Sequence, residues 1–110
     1  PMTIPVDPQL SFRWNLAAAK QGDVIAMFRV GDAYDEGEGV EENEESAFEW
    51  FMKAAETGDL DAQCNVGLFY EIGRGGCEID LVQALHWYKK SAAQGQQHSI
   101  EAVERLSHNQ

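Results

Sequence analysis

The sequence is short of positive charge. It carries 8 lysine and arginine residues against 19 aspartate and glutamate residues, a formal net charge of −11. No basic residue lies between Arg29 and Lys53, a stretch that is crowded with acids. Because phosphate backbones attract basic surfaces, this balance argues against nucleic acid as a partner. The acidic run is either a solvated face or an attractive surface for a partner protein or peptide with basic character.

Long apolar runs and a cysteine framework are also lacking. No apolar run approaches the roughly 20 residues that a membrane span needs, and no signal-peptide pattern opens the sequence. Cys64 and Cys77 are predicted in the middle of a helix and in the following loop, too far apart for a disulfide. We therefore expect reduced thiols, no membrane contact and a cytoplasmic protein; a secreted or periplasmic location stays open if a signal peptide precedes these residues.

Catalytic and metal-binding spacings are missing as well. The histidines are His86, His98 and His108, and no H-E-x-x-H or comparable zinc motif includes them. His98 and Glu101 stand three residues apart on a predicted helix, a spacing more typical of a surface coincidence than of a metal site. Gly73-x-Gly75-Gly76 follows a helix and is a turn rather than a dinucleotide site. The sequence predicts no enzyme, no cofactor and no metal, which leaves a catalyst built on surface carboxylates as the disfavoured alternative.

One nine-residue motif occurs three times in the sequence. WNLAAAKQG, WFMKAAETG and WYKKSAAQG occupy residues 14–22, 50–58 and 87–95, at offsets of 36 and then 37 residues. Each begins with tryptophan, carries a pair of small residues in the middle and ends with glycine. We expect the tryptophan to fill the space between helical layers, the small pair to let a neighbouring helix approach, and the glycine to end the helix. A period of this length is typical of helical repeats.

Each period predicts two helices, A and then B. An aspartate starts each A helix, and a Gly-x-Gly turn ends it. A B-type helix precedes the first full period and an A-type helix follows the last, so the predicted order is B-A-B-A-B-A. The sequence thus predicts one all-α domain over residues 1–110. Its parts are an N-terminal half-repeat (8–22), two repeats (23–58 and 59–95) and a C-terminal capping helix (96–110).

The repeated residues resemble the Sel-one-like repeat, a branch of the tetratricopeptide superfamily. The strings A-x-x-x-[hydrophobic]-G-x-x-Y-x-x-G-x-G and A-x-x-W-[aromatic]-x-x-[small]-A-x-x-G both occur twice. The structural positions of this motif are Trp14, Gly31, Tyr34, Trp50, Gly67, Tyr70 and Trp87. The resemblance implies a right-handed α-solenoid that acts as a scaffold or adaptor and has no shared active site. Some small bacterial members resemble immunity proteins, so an immunity-type inhibitor of a toxic effector is an alternative. The two cysteines do not match the disulfide positions of the cysteine-rich members.

Helical geometry predicts where a partner binds. At about 100° per residue, one side of each A helix faces the B helices and the opposite side lines the concave surface of the solenoid. The residues on that opposite side are Ile25, Phe28, Asp32, Asp35, Asp61, Leu68, Glu71, Glu101 and Arg105. This surface is acidic with apolar points, which favours a peptide or helix with basic flanks. Two alternatives stay open: Phe28 packs on a neighbouring repeat, or the chain assembles with copies of itself through its exposed end repeats.

Overall fold

Six helices make up the part of the chain that is described by the computed structural model, residues 7–108. They are α1 (Pro8–Lys20), α2 (Val24–Glu36), α3 (Glu44–Glu56), α4 (Leu60–Ile72), α5 (Leu81–Ala92) and α6 (Gln97–His108). No strand occurs among these residues. Each helix packs mainly against the helices before and after it, and the molecule measures 54 × 28 × 27 Å along its principal axes. The predicted all-α order of alternating B and A helices is confirmed.

Capping side chains fix where the helices begin. Asp23 accepts a hydrogen bond from the backbone amide three residues on at 3.0 Å, and Asp59 does the same at 2.8 Å. Asp7, Asn43 and Asp80 cap α1, α3 and α5 in the same way. Each cap satisfies an amide that has no partner inside its own helix. The regular spacing of these caps sets the period of the repeat.

The loops after α2 and α4 fold back onto the start of the preceding B helix. Gly39 has φ +77°, and a Cβ there would lie 2.1 Å from the carbonyl oxygen of Pro8. Gly75 has φ +68°, and its Cβ would lie 2.7 Å from Cβ of Phe48. Only glycine combines this backbone conformation with so close an approach. The second glycine of each Gly-x-Gly turn therefore locks the loop onto the helix pair.

The core consists of three clusters, each made by a B helix and the A helix that follows it. Small side chains dominate them, which lets the helices approach closely. The α1–α2 cluster contains Phe12, Ala19, Ala26 and Val30. The α3–α4 cluster contains Ala47, Phe51, Ala54, Ala55, Ala62, Val66 and Phe69. The α5–α6 cluster contains Ala84, Tyr88, Ala102 and Leu106.

An aromatic ring seated on a glycine joins each layer to the previous one. Phe51 of α3 lies on Gly31 of α2, where a Cβ would be 2.6 Å from the ring. Tyr88 of α5 lies on Gly67 of α4, where a Cβ would be 2.8 Å from the ring. Both rings are at most 3% exposed. The motif glycines in the middle of the A helices are thus the seats on which the next layer packs.

The three tryptophans do not have equivalent surroundings. Trp50 is half-buried against the α1–α2 cluster, and Trp87 is half-buried against the α3–α4 cluster. Each therefore packs backwards onto the preceding layer, and a lysine ammonium lies over each ring. Trp14 is 70% exposed, so the expectation that it fills the space between layers is wrong. Its physical reason is that no helix of the described residues precedes α1.

Candidate protein-interaction surfaces

Predicted contact residues from α4 and α6 meet in one groove. Leu68, Glu101 and Arg105 line a depression of about 410 Å³ together with the ring of Tyr88. The other residues of its lining are Cys64, Asn65, His98 and Ala102. Leu68 is 40% exposed there. We call this surface the α4–α6 groove; it pairs an accessible aliphatic side chain with polar and charged walls.

Glu71 forms an ion pair with Arg105, one of the residues that line this groove. The guanidinium donates to both carboxylate oxygens, one of them at 3.1 Å, and the hydroxyl of Tyr88 donates to the same carboxylate at 2.8 Å. The hydrogen bond from Arg105 is the main reason that the pKa of Glu71 lies below its ordinary value. Burial and the neighbouring carboxylate raise the pKa of Tyr88. Glu71 and Arg105, both predicted partner contacts, are therefore bonded to each other.

A second cross-layer ion pair involves a residue that the sequence reasoning missed. Arg74, in the loop after α4, pairs with Asp35 of α2 and donates to Glu44 of α3 at 3.0 and 3.2 Å. Its guanidinium also lies 4.7 Å from the ring centroid of Phe69. Asp35 is thus neutralised from the next repeat. Alignment of the two repeats could have drawn attention to this residue, because the basic Arg74 stands where the first repeat has the acidic Glu38.

Asp32 belongs to a separate pocket near the N-terminal end. This N-terminal pocket encloses about 270 Å³ and is lined by Pro8, Ser11, Phe12, Asn15, Arg29, Asp32, Ala33, Glu36 and Glu38. Asp32 is half-buried, and burial, followed by the charges of Glu36 and Asp35, raises its pKa to about 6. The sequence reasoning missed the contribution of α1. Alignment of the repeats could have revealed this contribution, because the polar Asn15 occupies the position that the aromatic residues Phe51 and Tyr88 hold in the later layers.

The remaining predicted contacts differ in accessibility. Ile25 is 65% exposed and Asp61 is exposed, as a partner-facing position requires. Phe28 is half-buried, and its ring centroid lies 5.4 Å from that of Phe51. Phe28 therefore packs on α3, the helix that follows it within the same repeat (23–58), and whether it contacts a partner stays a prediction. Tyr34 and Tyr70 are half-buried among the cluster residues, in keeping with a structural role.

Two features bear on reactive chemistry at these surfaces, namely the cysteine thiols and possible metal ligands. Cys64 and Cys77 are free and half-buried, and burial raises the pKa of both thiols. A thiol with a raised pKa is a poor nucleophile at neutral pH. Among residues 7–108, no three histidine, cysteine or acidic side chains are arranged to hold a metal ion.

The family model of the Sel1 repeat matches the chain three times in succession, at residues 2–23, 24–59 and 60–96. The chain belongs to the Sel1 repeat family, which confirms the resemblance seen in its repeated motif. Proteins built from Sel1 repeats are generally protein-interaction modules and are typically non-enzymatic scaffolds. None of the curated proteins is significantly similar to the chain.

Solved structures share this architecture. A Sel1 repeat protein from Oxalobacter formigenes aligns over 91% of the chain with a TM-score of 0.86 and 29% identity. The protective antigen c5321 of uropathogenic Escherichia coli, which displays an SLR fold, aligns over 87% with a TM-score of 0.84 and 35% identity. The cysteine-rich protein B of Helicobacter pylori shares the fold at 21% identity, over 88% of the chain and 72% of its own length, with a TM-score of 0.82. The chain spans only 41% of the Oxalobacter protein and 20% of the Escherichia protein.

A membrane-spanning helix is not found in the described part of the chain. None of the helices between residues 7 and 108 combines the length and the apolar character that crossing a bilayer requires. The compartment in which the protein works stays a prediction.

Proposed function

We propose that the chain is an adaptor that binds a basic peptide or helix of a partner protein on the exposed side of its A helices, at the α4–α6 groove. The observation that carries the proposal is the exposure of Leu68 in a groove that is also lined by the acidic side chain of Glu101. An exposed aliphatic side chain in a concave site supplies an anchor, and surrounding charge selects the partner.

Charges near the groove support a basic partner. Asp61 and Glu101 are exposed on α4 and α6, and neither forms an ion pair with another described residue. Glu71 is occupied by Arg105, so the acids that are free to attract a partner are fewer than the sequence suggested. The net charge of −11 adds a long-range attraction for a cationic partner. Ile25, on the same side of α2, offers a second apolar contact.

The experiment is affinity capture from a lysate of the source cell, with wild type and an Ile25→Glu/Leu68→Glu variant side by side. Both side chains are substantially exposed, so the variant is expected to keep the wild-type thermal transition. A partner that contacts these residues is retained by wild type and lost with the variant. Its binding segment should then be mapped as a synthetic peptide and should carry lysine or arginine beside apolar residues.

Val82→Glu is the matched control, because Val82 is 78% exposed on the B-type helix α5. Loss of the partner with this variant alone would move the binding site to the B-helix side and refute the proposal. A captured toxic enzyme that is inhibited by the chain would assign the immunity-type role instead. Sedimentation of the purified chain tests self-assembly. Glu104 argues against self-assembly, because this glutamate stands at the position where Gly31 and Gly67 receive the aromatic ring of the next layer.

A further inference from the structure

Each layer after the first is covered by the A helix of the layer before it. Helix α2 covers α3 and α4 by placing Gly31 under Phe51. Helix α4 covers α5 and α6 by placing Gly67 under Tyr88. The same covering helices supply an acid to the covered layer, since Asp35 pairs with Arg74 and Glu71 pairs with Arg105. Aromatic packing and one cross-layer ion pair thus define each interior junction.

Among residues 7–108 the first layer has no such cover. Within residues 7–108 no helix precedes α1, and the side that would be covered carries exposed apolar residues: Trp14 is 70% exposed and Leu10 is 41% exposed. The N-terminal pocket lies at this end. By repeat alignment, its Asn15 corresponds to Phe51 and Tyr88, the residues that receive a covering helix inside the solenoid. The pocket therefore lies where a covering helix would pack.

The charges of this uncovered position are the reverse of those at the interior junctions. Glu38 corresponds to Arg74, and Asp32 corresponds to Arg105. Both basic residues that bind a covering helix inside the solenoid are thus replaced by acids at the N-terminal end. Glu36 adds a third acid to the lining of the pocket, which holds one basic residue, Arg29. Asp32 is already poorly stabilised as an anion, which its raised pKa reflects. A nearby cation would relieve the mutual repulsion of these carboxylates.

A second copy of the chain is a poor occupant. Head-to-tail stacking would use α6 as the covering helix, with Glu104 at the position of Gly31 and Gly67, and Glu101 one turn earlier. A glutamate side chain would replace the flat glycine seat. Both acids would also approach the acidic N-terminal pocket, and like charges in such close contact are repelled.

From this reversal we infer that the N-terminal pocket and the exposed side of α1 dock a basic amphipathic helix of a partner protein, seated as α2 is seated on α3 and α4. The helix places apolar residues against Trp14 and Leu10 and a lysine or arginine, where α2 carries Asp35, against Glu38 and Asp32. This surface is distinct from the α4–α6 groove, so the inference does not rest on the proposed function.

A peptide helix based on the sequence of α2 provides the probe. The basic peptide has the sequence of residues 23–37 with three substitutions, Asp32→Lys, Asp35→Arg and Glu36→Lys. The acidic peptide keeps the native residues. A hydrocarbon staple between the exposed positions 25 and 29 holds both peptides helical, since helices of this length are marginal in water. Affinity is measured by fluorescence anisotropy, and the side-chain resonance of Trp14 in a ¹⁵N-labelled chain reports where the peptide binds.

The basic peptide is expected to bind at least about tenfold more tightly than the acidic peptide and to shift the Trp14 resonance. Glu38→Arg should reverse this preference. Glu49→Arg changes the net charge equally at an exposed site on α3 outside the pocket, and it should leave the preference intact.

The inference would be overturned if the two stapled peptides bound with equal affinity or if neither bound. It would also be overturned if Glu49→Arg changed the preference for the basic peptide as much as Glu38→Arg does. The two other occupants have their own signatures. A dimer formed by the chain alone would assign the face to a second copy. Movement of the Trp14 resonance on removal of residues 1–6, without peptide, would assign it to the N-terminal segment of the chain.

Discussion

Gly31→Ala tests whether glycine seats the next layer. An added Cβ would lie 2.6 Å from Cε1 and 2.7 Å from Cδ1 of Phe51, whereas carbon atoms pack at about 3.5–4.0 Å. The ring is 1% exposed and is held between Phe28 and Phe69, so it has little room to move. Overpacking costs about 1–3 kcal/mol, and alanine gains about 1 kcal/mol over glycine in a helix interior. We expect the upper half of the overpacking range, and thus a net loss of about 1–2 kcal/mol in the free energy of unfolding.

Urea denaturation followed by circular dichroism measures this loss. The matched control is Glu104→Ala against Glu104→Gly, because residue 104 has the same repeat position and no described helix packs over it. There alanine should be more stable than glycine by about 1 kcal/mol. Phe51→Leu should relieve the clash, so the double variant with Gly31→Ala should lose less than the sum of the single losses. If Gly31→Ala stabilised the chain as much as the control pair does, the packing argument would be refuted.

Three further predictions concern charge and the tryptophans. The folded state raises the pKa of Asp32 from 3.8 to about 6, so the contribution of Asp32 to stability is lost as the pH rises from about 4 to about 6. Asp32→Asn should remove that loss and stabilise the chain at pH 7 by about 1 kcal/mol, after allowance for solvent exposure; urea titrations at pH 4 and 7 should show the difference only at pH 7. Arg74→Gln should cost about 1 kcal/mol in low salt and less in 1 M NaCl, and a loss independent of salt would contradict the ion-pair account. Trp50→Ala should lower the free energy of unfolding by about 2–3 kcal/mol, whereas Trp14→Ala should change it by less than about 0.5 kcal/mol; thermal melts compare them, and similar losses would contradict the exposure of Trp14.

Local rules were enough to predict the helices. Aspartate and asparagine caps, and glycines with positive φ, act within a few residues, so the six helices follow from short segments. The repeat period then predicted the all-α solenoid, because equivalent residues in successive layers make equivalent contacts. Comparison of the end layer with the interior layers would also have placed Trp14 outside the core.

The binding surface was harder to predict because it depends on which charges are already paired. A helical wheel places Asp35 and Glu71 on one side of their helices, but it does not reveal that Arg74 and Arg105 of the following layers reach them. The same wheel assigns Phe28 to the exposed side, although its ring packs against Phe51. Both outcomes arise from contacts between layers, which the pattern within one helix does not encode.

Each helix packs mainly against its neighbours in sequence, and this has a consequence for how the chain folds. Because each helix mainly contacts those next to it in sequence, few contacts require distant segments to meet, and folding should be fast. In the α3–α4 layer the ring of Phe69 contacts those of both Phe48 and Phe51, and this layer is covered on both sides. We expect structure to spread from this central layer, while α1 and α6 open and close most often, a gradient that amide hydrogen exchange would reveal. Docking of a helix at the N-terminal pocket would then slow the exchange of α1 before that of any other helix.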